Sequence, residues 1–225
     1  MFSVDQKLID KARALLFEQP NIYWVVGGAC TGKSTICRAV CESSGATPYD
    51  MDAHVFGHYM SRYSADRHPA SKAWFSATKP LAWVLSLSDE DFAALNRAAN
   101  AEYLDLLADD LEHRDRRQPV LIDGGITHPA IIAQAIPPER IFCLELPAGE
   151  AARMWETSPS RLEMKRSILA LPNYEQKWAR FLSFDQQISR TIGTECREAS
   201  IKIFERNGST TVSELAVMVA SHFGL

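Results

Sequence analysis

The chain lacks the marks of a membrane, secreted or nucleic-acid-binding protein. Its apolar residues never run uninterrupted for the roughly 20 positions a membrane span needs. The opening MFSVDQKLIDKARALLFEQP lacks the charged-then-apolar order of a signal peptide; Leu8, Ile9, Ala12, Leu15 and Leu16 recur at helical spacing instead. Five cysteines (Cys30, Cys37, Cys41, Cys143 and Cys196) form neither a C-x-x-C pair nor a secreted-type framework, so reduced thiols in a cytoplasm are expected. There is no basic excess: 24 Lys and Arg stand against 28 Asp and Glu, a formal net charge of −4. Sequence-independent binding to nucleic acid needs clustered cations, so neither a nucleic acid nor a membrane is the expected partner. Internal repeats and low-complexity tracts are absent, and so is an N-K-x-D segment of the kind that reads guanine.

What is present suits a globular α/β protein. With 225 residues, 46% of them hydrophobic, the chain can bury a full core as one domain with excursions. Five short apolar runs have the character of buried parallel strands: 22–26, 46–49, 119–123, 140–146 and 200–204. Helical patterns between them predict a three-layer sandwich around a parallel sheet. Two gaps exceed what a crossover helix requires. Residues 53–118 form a helical insertion, within which Ser88 and Asp91 resemble a capping box and Phe92, Leu95, Ala99, Tyr103, Leu106 and Leu107 follow one stripe. Residues 150–197 form a second helical region rich in arginine, with the character of a lid.

Gly27-Gly28-Ala29-Cys30-Thr31-Gly32-Lys33-Ser34 is an unbroken G-x-x-x-x-G-K-[ST], set between an apolar strand and a helical pattern. Glycines let successive backbone N–H groups converge on phosphate oxygens, and the next helix adds its positive dipole end. The nucleotide-binding residues are therefore Gly28, Ala29, Cys30, Thr31, Gly32, Lys33, Ser34 and Thr35. Lys33 is expected at the terminal phosphates of ATP, and Ser34 at a Mg²⁺ ion. VLIDGG ends a strand on Asp123, a second Mg²⁺ ligand in this reading or an ordinary strand-end turn. Asp50 and Asp52 follow the second strand. On an extended segment both would face one pocket, where a carboxylate can orient a hydroxyl and take its proton; otherwise Asp52 caps a helix.

GGACTGKST, YDMD and LIDGG, in that order on five strands, resemble the nucleoside-monophosphate-kinase-like P-loop kinases, and are most similar to shikimate and gluconate kinases. The resemblance implies a P-loop NTPase fold with sheet order 2-3-1-4-5 and an arginine-bearing lid. It also implies Asp50 nearer the metal, Asp52 nearer the acceptor, and a C-terminal turn in FERNGST bordering the adenine. Arg161, after Ser-Pro-Ser in the lid region, is the first candidate to meet the transferred charge, with Arg166 second.

The expected activity is transfer of the ATP γ-phosphoryl to a hydroxyl of a small metabolite, by a monomer or homodimer. A nucleoside or nucleotide kinase, or a nucleotide-binding regulatory protein with a macromolecular partner, are the alternatives. For a nucleotide acceptor, Arg62 and Arg67 are the cations to examine. His54 and His58 have helical zinc spacing without a third ligand, and Trp74, Phe75, Trp83 and Phe92 are assigned to the core of the insertion.

Overall fold

The computed structural model describes residues 2–207 and 209–225. Five strands, β1 (Ile22–Gly27), β2 (Thr47–Asp50), β3 (Val120–Asp123), β4 (Ile141–Glu145) and β5 (Lys202–Glu205), form one sheet in the order β2-β3-β1-β4-β5. Every pairing is parallel, with Val25 opposite Asp123 and Asp50 opposite Asp123. The sheet order and three-layer plan are as the sequence and its resemblance imply. The strands are not uniformly buried, however. β3 and β4 carry the continuous apolar runs of a covered sheet, whereas Thr47, Pro48 and Asp50 of β2 and Lys202 and Glu205 of β5 are exposed. Each edge strand lacks a neighbour on one side, and polar edges discourage pairing with another chain.

Helices α1 (Gln6–Leu16), α2 (Lys33–Ser44) and α3 (Met51–Val55) open the chain. The insertion continues through α4 (Pro69–Phe75) and α5 (Pro80–Val84) to the long α6 (Asp89–Leu111). Beyond β3 come α7 (Pro129–Ala135), α8 (Glu150–Thr157), α9 (Leu162–Leu169), α10 (Tyr174–Glu198) and α11 (Val212–Phe223). Helices α2 and α11 cover one sheet face, with Ile36, Val40, Leu215 and Val219 packing on Val25, Leu121 and Leu144. Helices α1, α6, α7 and α10 cover the other through Ile9, Leu16, Leu104, Ile132 and Ile192.

Ser88 caps α6, its hydroxyl accepting from the Asp91 N–H at 3.0 Å as the spacing predicts. Beyond its first turns α6 is covered on nearly every side and carries buried acids as well as apolar residues. Those acids fasten the insertion. Glu102 accepts from the Ala70 and Ser71 N–H groups (2.9 and 2.7 Å), which satisfies the start of α4. Asp105 meets Arg67 at 2.6 Å, Lys11 at 2.8 Å and His68 at 3.0 Å. Asp110, exposed near the end of α6, accepts from Tyr49 at 2.7 Å and Tyr59 at 3.0 Å, and pairs with Arg62. Tyr63, Phe75 and Trp74 stack in series with centroids 5.2 and 5.0 Å apart, making the core of the lobe. Phe92 stacks instead on Phe184 of α10 at 3.7 Å, so it joins α6 to α10 and does not belong to that lobe.

Candidate active site

The loop between β1 and α2 brings together the catalytic and nucleotide-binding candidates. Gly32 holds φ = 87°, a left-handed conformation that turns the chain directly into α2 with no side-chain cap. The first N–H groups of α2 are thus left for an anion. Cys30 also has positive φ, 66°, with its side chain buried. The Thr31 hydroxyl and the Lys33 ammonium each donate to the Gly28 carbonyl at 3.0 Å, which bends the loop back over itself. Ala29 is half-buried, while Ser34 and Thr35 lie open on the first turn of α2.

Asp123 ends β3 with 7% of its surface exposed, and its Oδ1 has no hydrogen-bond partner among the described residues. Burial raises its pKa; the nearby Ser34 hydroxyl and Lys33 ammonium pull the other way. A buried, unpartnered carboxylate oxygen beside a serine hydroxyl is a hard-oxygen donor set that fits Mg²⁺. Among the described residues no group of three or more His, Cys, Asp or Glu side chains gathers as a metal cage.

The two carboxylates after β2 come together differently from the extended alternation the sequence suggests. The chain turns helical at Met51. Asp50 becomes the cap of α3, its Oδ1 accepting from the Ala53 N–H at 2.9 Å, and Asp52 falls in the first turn. Asp52 Oδ1 accepts from the Gly125 N–H at 3.0 Å. Gly125 is held at φ = 70°, and a Cβ there would stand 2.0 Å from Met51 Cγ. The Gly-Gly turn thus lets β3 close tightly on α3 and aims one N–H at Asp52. The Asp52 carboxylate is recessed though reached by solvent; loss of surrounding water raises its pKa, against the pull of Lys33 and the Gly125 N–H. His54 stacks on Tyr49 at 4.0 Å and contacts the Asp50 carbonyl through Nδ1 at 2.7 Å, so it braces this turn.

The region after β4 reaches the loop through Arg161. Arg161 lies in a 3₁₀ turn (Pro159–Arg161), its guanidinium 4.8 Å from the Trp155 ring centroid and in contact with the Cys30 thiol. Burial raises the pKa of that thiol, an effect Arg161 partly offsets. Arg166 is exposed on α9. Arg62 and Arg67 are both engaged by the acids of α6, neither as free anion-binding groups nor as a simple solvated face.

Three residues near the loop carry no sequence signal. Asp185, half-buried within α10, faces Lys33 and Arg161 and lines a cavity of about 610 Å³ that reaches Gly28, Ala29 and Thr31. Ser189, one turn further on, packs its hydroxyl against Gly28. Arg206 follows β5 and donates to the Thr31 carbonyl at 3.2 Å, leaning over Gly32. Only packing α10 and β5 against the loop brings these residues there. Gly208, in the turn of FERNGST, lies outside the described residues.

No protein-family model and no curated protein matches the sequence. Solved structures do. TT1252 from Thermus thermophilus is similar with a TM-score of 0.51 at 19% identity, over 91% of this chain and 97% of that one. A shikimate kinase from Acinetobacter baumannii, solved with shikimate, gives 0.46 at 20% identity over 93% and 95%. A gluconokinase from Sinorhizobium meliloti 1021 gives 0.43 at 14% identity over 92% and 93%. The likeness to TT1252 is one of fold; the 2-3-1-4-5 parallel sheet with a G-x-x-x-x-G-K-S loop between β1 and α2 is the arrangement of the P-loop NTPase fold.

Proposed function

We propose that the chain is an ATP-dependent phosphotransferase that moves the γ-phosphoryl group to a hydroxyl of a small metabolite. The observation that carries the reading is the convergence of Lys33, Asp52, Asp123 and Arg161 on one loop from four separate segments. Lys33 and the loop N–H groups hold the phosphates of ATP, and Ser34 with Asp123 holds Mg²⁺. The metal, when bound, neutralises charge on the phosphates and orients them. Asp52, with Oδ1 fixed by Gly125, orients the acceptor hydroxyl and takes its proton. The hydroxyl oxygen then bonds to the γ-phosphorus as the bond to the departing ADP oxygen breaks. Arg161, already against the loop, meets the charge on the group in transit. Asp50 shapes the turn that presents Asp52 and stands beside Asp123 across the strand pair.

A nucleotide kinase would need cations free to grip an acceptor phosphate. Arg62 and Arg67 are committed to Asp105, Asp109 and Asp110, which favours a hydroxyl acceptor over a nucleotide.

Nucleotide binding is tested by thermal unfolding with and without Mg-ATP. A ligand held by the folded state stabilises it by mass action, about 2.7 kcal/mol at a hundred times its Kd. The expected result is a raised Tm for the wild type and little or none for Lys33→Ala; equal shifts in both proteins contradict the assignment.

A further inference from the structure

Helix α10 carries a stripe of side chains that runs from the region after β4 to the loop after β1. Phe181, Asp185 and Ser189 recur every four residues and so share one face of the helix. At one end of the stripe Phe181 meets the Trp155 ring edge to face, with centroids 4.7 Å apart at 87°. At the other end the Ser189 hydroxyl packs on Gly28, where an added Cβ would stand 2.5 Å from it. Asp185 is the middle residue, set between Trp155 and the loop by its two neighbours. It lines the cavity of about 610 Å³ that reaches Gly28, Ala29 and Thr31.

Arg161 reaches the same place from another segment, its guanidinium 4.8 Å from the Trp155 centroid and against the Cys30 thiol. A ring face attracts a guanidinium but does not neutralise it. Lys33 and the positive end of α2 repel a second cation until a phosphate is bound. A carboxylate is what keeps such a cation in place. Asp52 faces Arg161 but is given to the acceptor in the proposed reaction, whereas Asp185 has no part in the chemistry and is free for this task. Burial raises the pKa of the Asp185 carboxyl, and Trp155, Arg161 and Lys33 pull it back.

Building on the phosphotransfer reading, we propose that Asp185 is the positioning residue for Arg161: with Trp155 it forms a seat that holds the guanidinium against the loop before the γ-phosphoryl group arrives. An arginine already in place meets the charge in transit without reorganising. Two measurements test the seat, and neither needs the acceptor. In the nucleotide-free protein, arginine modification by phenylglyoxal is followed peptide by peptide. Asp185→Asn should speed modification of Arg161 about three- to thirtyfold, within the span of coupling between neighbouring residues. Arg180, on the same helix and paired with Asp89 at 2.7 Å, should keep its rate. A rise in both means only that α10 has loosened, and overturns the assignment. The second measurement is calorimetric binding of Mg-ADP with and without aluminium fluoride, a mimic of the group in transit. Wild type should gain affinity when aluminium fluoride is added, and Arg161→Ala should lose that gain. Asp185→Asn should reduce it about three- to thirtyfold, and Asp185→Glu should recover part. Affinity for Mg-ADP alone should not fall in Asp185→Asn, whereas a purely structural role would lower it. In the Arg161→Ala background, Asp185→Asn should change nothing further. An undiminished gain in Asp185→Asn, or losses that add in the double variant, overturns the inference. Faster modification of Arg161 alone in Asp185→Asn, with no aluminium fluoride gain in the wild type, leaves the seat standing and removes the phosphotransfer reading instead.

Discussion

Asp52 and Gly125 depend on each other. The glycine is in a left-handed conformation against Met51, and its N–H is the hydrogen bond that fixes Asp52. Gly125→Ala adds a Cβ where Met51 already stands, so α3 must move and Asp52 with it. The expected cost is about 1–3 kcal/mol of stability, read from the urea midpoint, together with a fall in transfer larger than any change in ATP affinity. Transfer that survives intact would mean that Asp52 does not need this hydrogen bond. The sequence showed which residues belong to this turn but misjudged their geometry. Alternation along an extended strand put Asp50 and Asp52 side by side, whereas Asp50 caps a helix beginning at the next residue. A cap and a strand end look alike in one dimension, because each is an aspartate after an apolar run.

At the scale of elements, α6 holds the insertion to the rest of the molecule through carboxylates. Asp105 is fully enclosed; desolvation alone would raise its pKa, but hydrogen bonds from His68, Arg67 and Lys11 outweigh it and hold the carboxyl well below its ordinary range. The linkage sign follows. Because the folded form binds this proton less readily, the stabilisation is full above the unfolded carboxylate pKa of about 4 and drains away as pH falls below it. Asp105→Asn leaves three donors facing an amide and should cost roughly 3 kcal/mol at neutral pH. The mutant should also lose less stability than the wild type between neutral pH and acid. Parallel pH–stability curves for the two proteins would contradict this role. Nothing in the sequence pairs Asp105 with Arg67 and His68, since a helix tells its own faces but not which loop lies on them. The strands, Ser88 cap and stripe of α6 were legible because they follow periodicity and caps; the exposure of β2 and β5 was not, because it follows from their place at the sheet edges.

For the whole molecule, the strand order sets where the chemistry is. The loop after β1 lies at the centre of the C-terminal edge, flanked by the ends of β3 and β4, and Asp123 arrives beside it by register alone. Helix α10, packed on α8 and α9, brings Asp185 and Ser189 up to the loop after β1. Long-range placement of this kind is invisible to local pattern, and Asp185, Ser189 and Arg206 were accordingly missed. No described helix is long and apolar enough to cross a membrane. The central claim is that a P-loop serves phosphoryl transfer here through Asp52. The most direct measurement is acceptor-dependent ADP release by wild type and Asp52→Asn across pH, with ATP affinity determined for both. Asp52→Asn should lose about 10²–10⁴-fold in kcat with ATP affinity retained. Because burial raises the Asp52 pKa, wild-type activity should fall on the acid side at a pH above the ordinary aspartate value of about 4. Equal turnover in the two proteins, or a wild type that binds ATP but releases no ADP with any acceptor, would contradict the account.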